Sequence, residues 1–153
     1  MTSALEIGLA NSLPEISRLA ELIESFGAEH GVPERAIFNL NLALDEILTN
    51  IIEYAFPDGG AHQILVRLAL DEWALRAEVI DDGSPYDPTA RPDPDTTLSL
   101  EERPIGGLGV YFAKRMMDRV EYHRDGGRNR LTLVRLIDQD QDQKIGGDAG
   151  PEY

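Results

Sequence analysis

The sequence has 153 residues, of which 42% are hydrophobic and 27% are charged, and this is the composition of an ordinary globular domain. Its formal net charge of -14 argues against direct contact with nucleic acid or an anionic membrane, because both depend on Lys and Arg. With no cysteine, no membrane-length apolar run and no secretory-signal pattern, the sequence excludes disulfides and thiolate metal sites and predicts a cytoplasmic protein.

The N-terminal half is predicted to form one strand followed by two helices. Apolar residues alternate with polar or small ones over residues 5–9, which is typical of a short strand. Asn11 or Ser12 can cap the first helix, which Gly31 should end. The second helix is predicted over residues 33–56, because a proline opens it and a Pro-Asp-Gly-Gly run follows it.

The C-terminal half is predicted to add four strands and one helix. The strands are expected at 63–70, 73–81, 120–125 and 129–137, and the helix at 108–117. Residues 82–107 form a long loop, and a loop of this length in a compact domain is usually functional or a misassigned element. Sequential strand pairs imply hairpins, so the predicted class is α+β.

The predicted architecture is a two-layer α/β sandwich, with a mixed, mainly antiparallel sheet and helices on one face. Residues 1–137 are expected to form this single domain. Residues 138–153 are polar and acidic and contain glycine, so we expect them to be a disordered tail.

The second helix carries candidate functional residues away from its apolar stripe. The stripe, which should pack on the sheet, consists of Ile37, Leu40, Leu44, Ile47 and Ile51. Glu46 and Asn50 lie one turn apart on roughly the opposite side. Asn can give Mg²⁺ a neutral oxygen ligand, and Glu can orient or deprotonate a hydroxyl. The helix alone favours a plainer role, in which Asn50 bonds a neighbouring loop and Glu46 faces water.

Two glycine-containing loops supply the other candidates. The strand at 73–81 ends in Asp81-Asp82-Gly83, where a carboxylate can accept the exocyclic amine of a base and the glycine permits close approach. The helix at 108–117 follows Gly106-Gly107-Leu108-Gly109, and free N–H groups at a helix start favour phosphate. Each loop alone is weak evidence for a nucleotide site, because Asp-Asp-Gly is a common turn and no Walker lysine follows the second loop.

Taken in order, these pieces resemble the N, G1 and G2 boxes of the GHKL ATPase superfamily, and more closely the small anti-sigma-factor serine kinases. The matching segments are LALDEILTNIIEYAF (42–56), VIDDGSPYDP (79–88), GGLGVYFAKRMMDRVEY (106–122) and NRLTLVR (129–135). The resemblance extends over nearly the whole chain. It implies a histidine-kinase-like ATPase fold with ATP and Mg²⁺ as cofactors.

The resemblance also implies individual roles. Asn50 would bind Mg²⁺ and Glu46 would be the base for an acceptor serine. Asp81 would accept the adenine amine, Gly83 would let the ring approach, and Thr132 would lie near the adenine, reached through water.

For the phosphates, the resemblance points to Gly107, Leu108 and Gly109, with residues 87–105 as a lid. This lid offers Arg91 and Arg103 as cations, and nothing in the sequence selects one for the γ-phosphate. The histidines have no phosphoacceptor context, so we expect surface or turn positions for His30, His62 and His123.

The implied function is that of an ATP-dependent serine/threonine kinase acting as an anti-sigma factor. It would phosphorylate an anti-anti-sigma partner, sequester a sigma factor, and form a homodimer through its first strand and helix. The competing hypothesis is a partner-binding regulator that holds ATP, or nothing, without phosphotransfer. A third is an ATPase with no protein acceptor.

Overall fold

The computed structural model describes residues 3–87 and 113–137. The elements in chain order are β1 (Ser3–Ala10), α1 (Pro14–His30), α2 (Glu34–Tyr54), β2 (Gln63–Leu70), β3 (Ala74–Asp81), β4 (Arg119–Asp125) and β5 (Arg128–Leu136). Residues 113–116 are helical and are the described part of the helix predicted at 108–117. Within the described ranges, no helix has the length and apolar character needed to cross a membrane.

The five strands form one sheet in the order β1-β2-β3-β5-β4. This confirms the α+β class and the mainly antiparallel sheet. Every pairing among the described strands is antiparallel, so the parallel pair that a mixed sheet requires is not found there. The first two strands are antiparallel because α1 and α2 together return the chain to the end of β1 at which it left the sheet. There the Asn11 N–H donates to the His62 carbonyl at 3.2 Å.

The start of α1 differs from the prediction. No side chain caps this helix, so the expected Asn11 or Ser12 cap is wrong. Asn11 instead ties down the loop before β2: its amide donates to the Gly60 carbonyl at 2.9 Å and accepts the His62 N–H at 3.0 Å. The predicted end is confirmed, because Gly31 adopts a left-handed conformation with φ of 69° there.

The core lies between the helices and one face of the sheet. The predicted stripe of α2 is buried at Ile37, Leu40, Leu44 and Ile47, while Ile51 is only partly buried. The other sheet face carries exposed ion pairs such as Glu6–Arg67, with 2.9 Å between Oε2 and Nε. In the part of the chain that the structure describes, the helices therefore lie on one face of the sheet, as in many antiparallel sheets.

A two-residue turn fixes the register of the last hairpin. Gly126 and Gly127 both have positive φ, 59° and 76°, which suits a type I′ connection. Arg128 was expected in this connection but already pairs with Asp125 in the ladder. This register brings Arg124 opposite Asn129.

Candidate functional site

A cavity of about 150 Å³ lies between the second half of α2 and the ends of β3 and β5. Its lining, mostly apolar or aromatic, comprises Ile47, Asn50, Ile51, Tyr54, Ala55, Val79, Asp81, Ser84, Pro85, Tyr86, Tyr122, Asn129 and Leu131. An apolar cavity of this volume can accept a flat aromatic ring. A few polar groups in an apolar lining are typical of small-molecule sites.

Asp81 places a carboxylate inside this cavity. It is the last residue of β3, and only 4% of its surface is exposed. Its Oδ1 accepts the backbone N–H of Gly83 at 2.8 Å and the Nδ2 of Asn129 at 3.0 Å. No donor from the described residues bonds to Oδ2. A buried carboxylate with one unused oxygen can accept an N–H group from a ligand.

Asn129 is the site residue that the sequence analysis missed. It lies directly opposite Asp81 in the β3–β5 pairing and is 6% exposed. Its Oδ1 accepts the Tyr122 hydroxyl at 2.5 Å and an Arg124 N–H at 3.0 Å. The sequence could have identified Asn129 only through the alignment of β3 with β5, because that register is what makes it the partner of Asp81.

Thr132, which the resemblance placed near the adenine, lies elsewhere. It pairs with Glu78 on β3 and with Glu121 on β4. Neighbouring strand residues point to opposite faces of a sheet, and Leu131 lines the cavity. Thr132 therefore belongs to the outer face, and the structure does not bring it to Asp81.

Gly83 is buried in the turn after β3, against the end of α2. A Cβ atom at Gly83 would lie 2.6 Å from both the Cβ and the carbonyl oxygen of Ala55. The next residue, Ser84, donates its N–H to that same carbonyl at 2.8 Å. The absent side chain thus allows close approach of α2 to this turn, whereas the resemblance gave the glycine a role toward the ring.

The two candidate residues of α2, Asn50 and Glu46, occupy different positions relative to the cavity. Asn50 is half-buried and lines it, and among the described residues its amide has no hydrogen-bond partner. The neighbouring-loop bond considered for Asn50 is therefore not found in this part of the chain. Glu46 is exposed one turn earlier and does not line the cavity.

The residues present are compatible with Mg²⁺. The described ranges hold no cluster of three or more His, Cys, Asp or Glu that would form an all-protein metal cage. Mg²⁺ commonly takes one or two protein oxygens and completes its shell with phosphates and water. The amide oxygen of Asn50, which lies at the cavity and has no partner within residues 3–87 and 113–137, matches that requirement.

The predicted phosphate-binding residues, Gly107, Leu108 and Gly109, lie outside the described residues, as do residues 88–105 of the predicted lid with Arg91 and Arg103. The next described residue, Ala113, is buried in the core together with Met117.

The family described as "Histidine kinase-like ATPase domain" matches residues 9–135. The chain belongs to this family. It is 34% identical over 100 residues to the serine/threonine-protein kinase BtrW of Bordetella bronchiseptica, covering 65% of this chain and 70% of BtrW. It is 28% identical over 133 residues to the serine-protein kinase RsbW of Listeria monocytogenes, covering 84% of each.

A solved structure supports the fold. The RsbU and RsbW domains of a Mycobacterium tuberculosis protein match with a TM-score of 0.62 and 22% identity, covering 88% of this chain. The chain spans 32% of that protein. Together with the family match, this confirms the membership that the sequence motifs predicted.

Proposed function

We propose that this chain is an ATP-dependent protein serine/threonine kinase that acts as an anti-sigma factor. Its membership of the histidine kinase-like ATPase family supports nucleotide use, and the names of BtrW and RsbW support serine kinase activity. The single observation that carries the proposal is the buried carboxylate of Asp81 in an apolar cavity, where its Oδ2 has no partner among the described residues.

The cavity would take the adenine ring of ATP. Apolar side chains of Ile51, Val79 and Leu131 line it and would contact the ring faces or edges. The exocyclic amine would donate to Oδ2 of Asp81, because an ionised carboxylate only accepts hydrogen bonds. The triphosphate would extend toward Gly107, Leu108 and Gly109, which remain the predicted phosphate-binding residues.

Asn50 and Glu46 would serve the transfer step. Asn50 would hold Mg²⁺ through its amide oxygen, and the ion would offset phosphate charge. The hydroxyl oxygen of a partner's serine would attack the γ-phosphorus as the bond to the β–γ bridging oxygen breaks, releasing ADP. Glu46 would accept the hydroxyl proton, and its exposed position suits a base that must meet another protein.

The acceptor would be an anti-anti-sigma protein, and the second partner a sigma factor. Phosphorylation would place charge on the acceptor and release it, which frees this chain to bind the sigma factor. The net charge of -14 suits a basic surface on that partner. We place a homodimer contact at β1 and α1, where β1 is an edge strand of the sheet, and we expect the protein to act in the cytoplasm.

Calorimetric titration of ATP, with and without Mg²⁺, tests the proposal. Wild type should bind Mg²⁺-ATP, while Asp81→Asn and Asn50→Ala should each weaken binding. Glu46→Gln should bind normally but fail to label an anti-anti-sigma protein with γ-³²P. Glu78→Gln, on the outer sheet face, is the matched control for a change of charge and should bind as wild type does.

The possible results separate the competing functions. Folded wild type that binds no ATP at millimolar concentration contradicts the kinase proposal and favours a nucleotide-free partner-binding regulator. Label that appears only as free phosphate identifies an ATPase without a protein acceptor. Label on a partner serine supports the proposal.

A further inference from the structure

Asn129 uses every hydrogen-bonding position of its side chain. Nδ2 donates to Asp81 Oδ1 at 3.0 Å and to the Ser84 carbonyl at 2.9 Å. Oδ1 accepts from the Tyr122 hydroxyl and from Arg124 Nη1. A carboxamide has two N–H donors and one oxygen with two lone pairs, so nothing remains for a direct bond to a ligand.

The chemistry of its neighbours fixes which way this amide points. A flip would set the NH₂ group against the Arg124 guanidinium, which can only donate. The same flip would set the amide oxygen against the carboxylate of Asp81, which in its ionised form only accepts. The orientation with Nδ2 toward Asp81 is therefore the one that the hydrogen-bond network permits.

This amide determines which part of Asp81 a ligand can meet. Oδ1 is held by Asn129 and by the Gly83 N–H, whereas Oδ2 has no partner among the described residues. A base with an amine opposite Oδ2 gains a hydrogen bond. A base with a carbonyl oxygen at that position meets lone pairs instead.

We propose that Asn129 is a positioning residue for base selectivity: it holds Asp81 so that the cavity accepts a 6-amino purine and rejects a 6-oxo purine. The inference rests on the proposed function, since it assumes that the base of ATP occupies the cavity. Asn129 has no hydrogen-bonding group left for the base itself.

Arg124 makes the arrangement a single unit. Its Nη1 donates to the Gly83 carbonyl at 2.8 Å as well as to Asn129 at 3.0 Å. The turn after β3 and the amide on β5 are thus joined through one guanidinium on β4. Loss of this cation should loosen both contacts to Asp81 without removing either donor.

The test compares binding of ATP and ITP, which differ by the amine or carbonyl group on the ring. Asn129→Asp keeps the side-chain shape and the oxygen that faces Tyr122 and Arg124, but it removes the donor to Asp81. We expect the wild-type preference for ATP over ITP to fall by at least about tenfold in this variant. Arg124→Gln, at an exposed position, should reduce the preference by a smaller factor.

Arg130→Gln is the matched control, because it changes the formal charge of the same strand by the same amount at an exposed position on the outer face, and it should leave the ratio unchanged. Circular dichroism establishes that each variant is folded, and if Asn129→Asp is not, Arg124→Gln carries the test. Equal losses of ATP and ITP affinity would show a purely structural role and overturn the inference. If folded wild type binds neither nucleotide, the proposed function fails first; binding with an unchanged ratio in the variants contradicts the inference alone.

Discussion

The two halves of α2 share one apolar stripe, but the first half packs in the core and the second half lines a cavity. In the first half, Leu40 and Leu44 are each 1% exposed, and a Cβ on Gly27 of α1 would lie 2.6 Å from Cγ1 of Ile37. In the second half, Asn50 and the partly buried Ile51 line a cavity. The first half therefore contributes leucines to the core, whereas the second half contributes to the lining of the cavity beside Asp81. The two halves face different elements: the first half packs on α1, whereas the end of the second half meets the turn after β3.

The largest contrast between the halves should come from Leu44→Ala. Truncation of a fully buried leucine usually costs about 2–5 kcal/mol of unfolding free energy, because it removes apolar burial and leaves a void. We expect a loss in this range by urea denaturation, with the ATP affinity of the folded fraction unchanged. A large drop in affinity at equal folded concentration would mean that the first half also shapes the site.

Gly83→Ala should come next, since it tests the contact between the end of α2 and the turn after β3. The added methyl group would meet Ala55, so we expect a loss of about 1–3 kcal/mol. ATP binding should weaken too, because the N–H of this residue holds Asp81. Gly8→Ala is the control: its nearest obstacle is the end of the flexible Gln63 side chain, which can move aside. Equal destabilisation by both changes would contradict this account.

Ile51→Ala should show the converse of Leu44→Ala. The side chain is only partly buried, so its removal should cost about 1 kcal/mol or less. It lines the cavity, so ATP affinity should fall even though the protein stays folded. The pair of leucine and isoleucine variants, measured for both stability and affinity, separates the two halves. Similar losses of stability and of ATP affinity in the two variants would contradict the difference between the two halves of α2.

The smallest effect is expected at His62, which connects the end of α2 to the turn after β3. Its ring nitrogens contact Asp58 at 3.0 Å and Asp82 at 3.1 Å, and the ring stacks on Phe56. The bond to Asp58, and then that to Asp82, raises the pKa of His62. Its stabilising effect should therefore be complete below the pKa of about 6.5 expected for the unfolded chain, and should be lost as pH rises through the higher folded pKa.

Urea denaturation between pH 5 and 9 checks this sign. Wild type should lose stability relative to His62→Gln as the pH increases across that window. His123→Gln, on the outer face of β4, controls for loss of a histidine and should follow the wild-type curve. Parallel curves for wild type and His62→Gln would contradict a stabilising role for the contacts of His62 with Asp58 and Asp82.

Much of the fold was predictable because its cues are local. Periodicity predicted the strands and both helices, and Gly31 marked the end of α1. The N-cap was mispredicted because Asn11 is used for a contact with residues 60–62, far along the chain. Such long-range competition for a side chain has no local pattern.

Part of the candidate site was also predictable from local sequence motifs. Asp81 and Asn50 lie in motifs that the sequence displays, and the structure brings both to one cavity. Asn129 was missed because its partnership with Asp81 depends on the register between β3 and β5. The resemblance pointed to Thr132, which lies an odd number of positions from Asn129 on the same strand, and an odd separation puts two side chains on opposite faces of the sheet. The stripe of α2 likewise gave no sign that Ile51 faces a cavity.

The pairing of Asp81 with Asn129 closes a long stretch of chain, since the two residues are 48 positions apart. The entropy of closing such a stretch grows only with the logarithm of its length, so doubling it costs about 0.6 kcal/mol. Changes in length that leave β4 and its pairing with β5 intact are therefore thermodynamically inexpensive. Natural variation can therefore alter the length of the intervening chain while Asp81 and Asn129 stay paired.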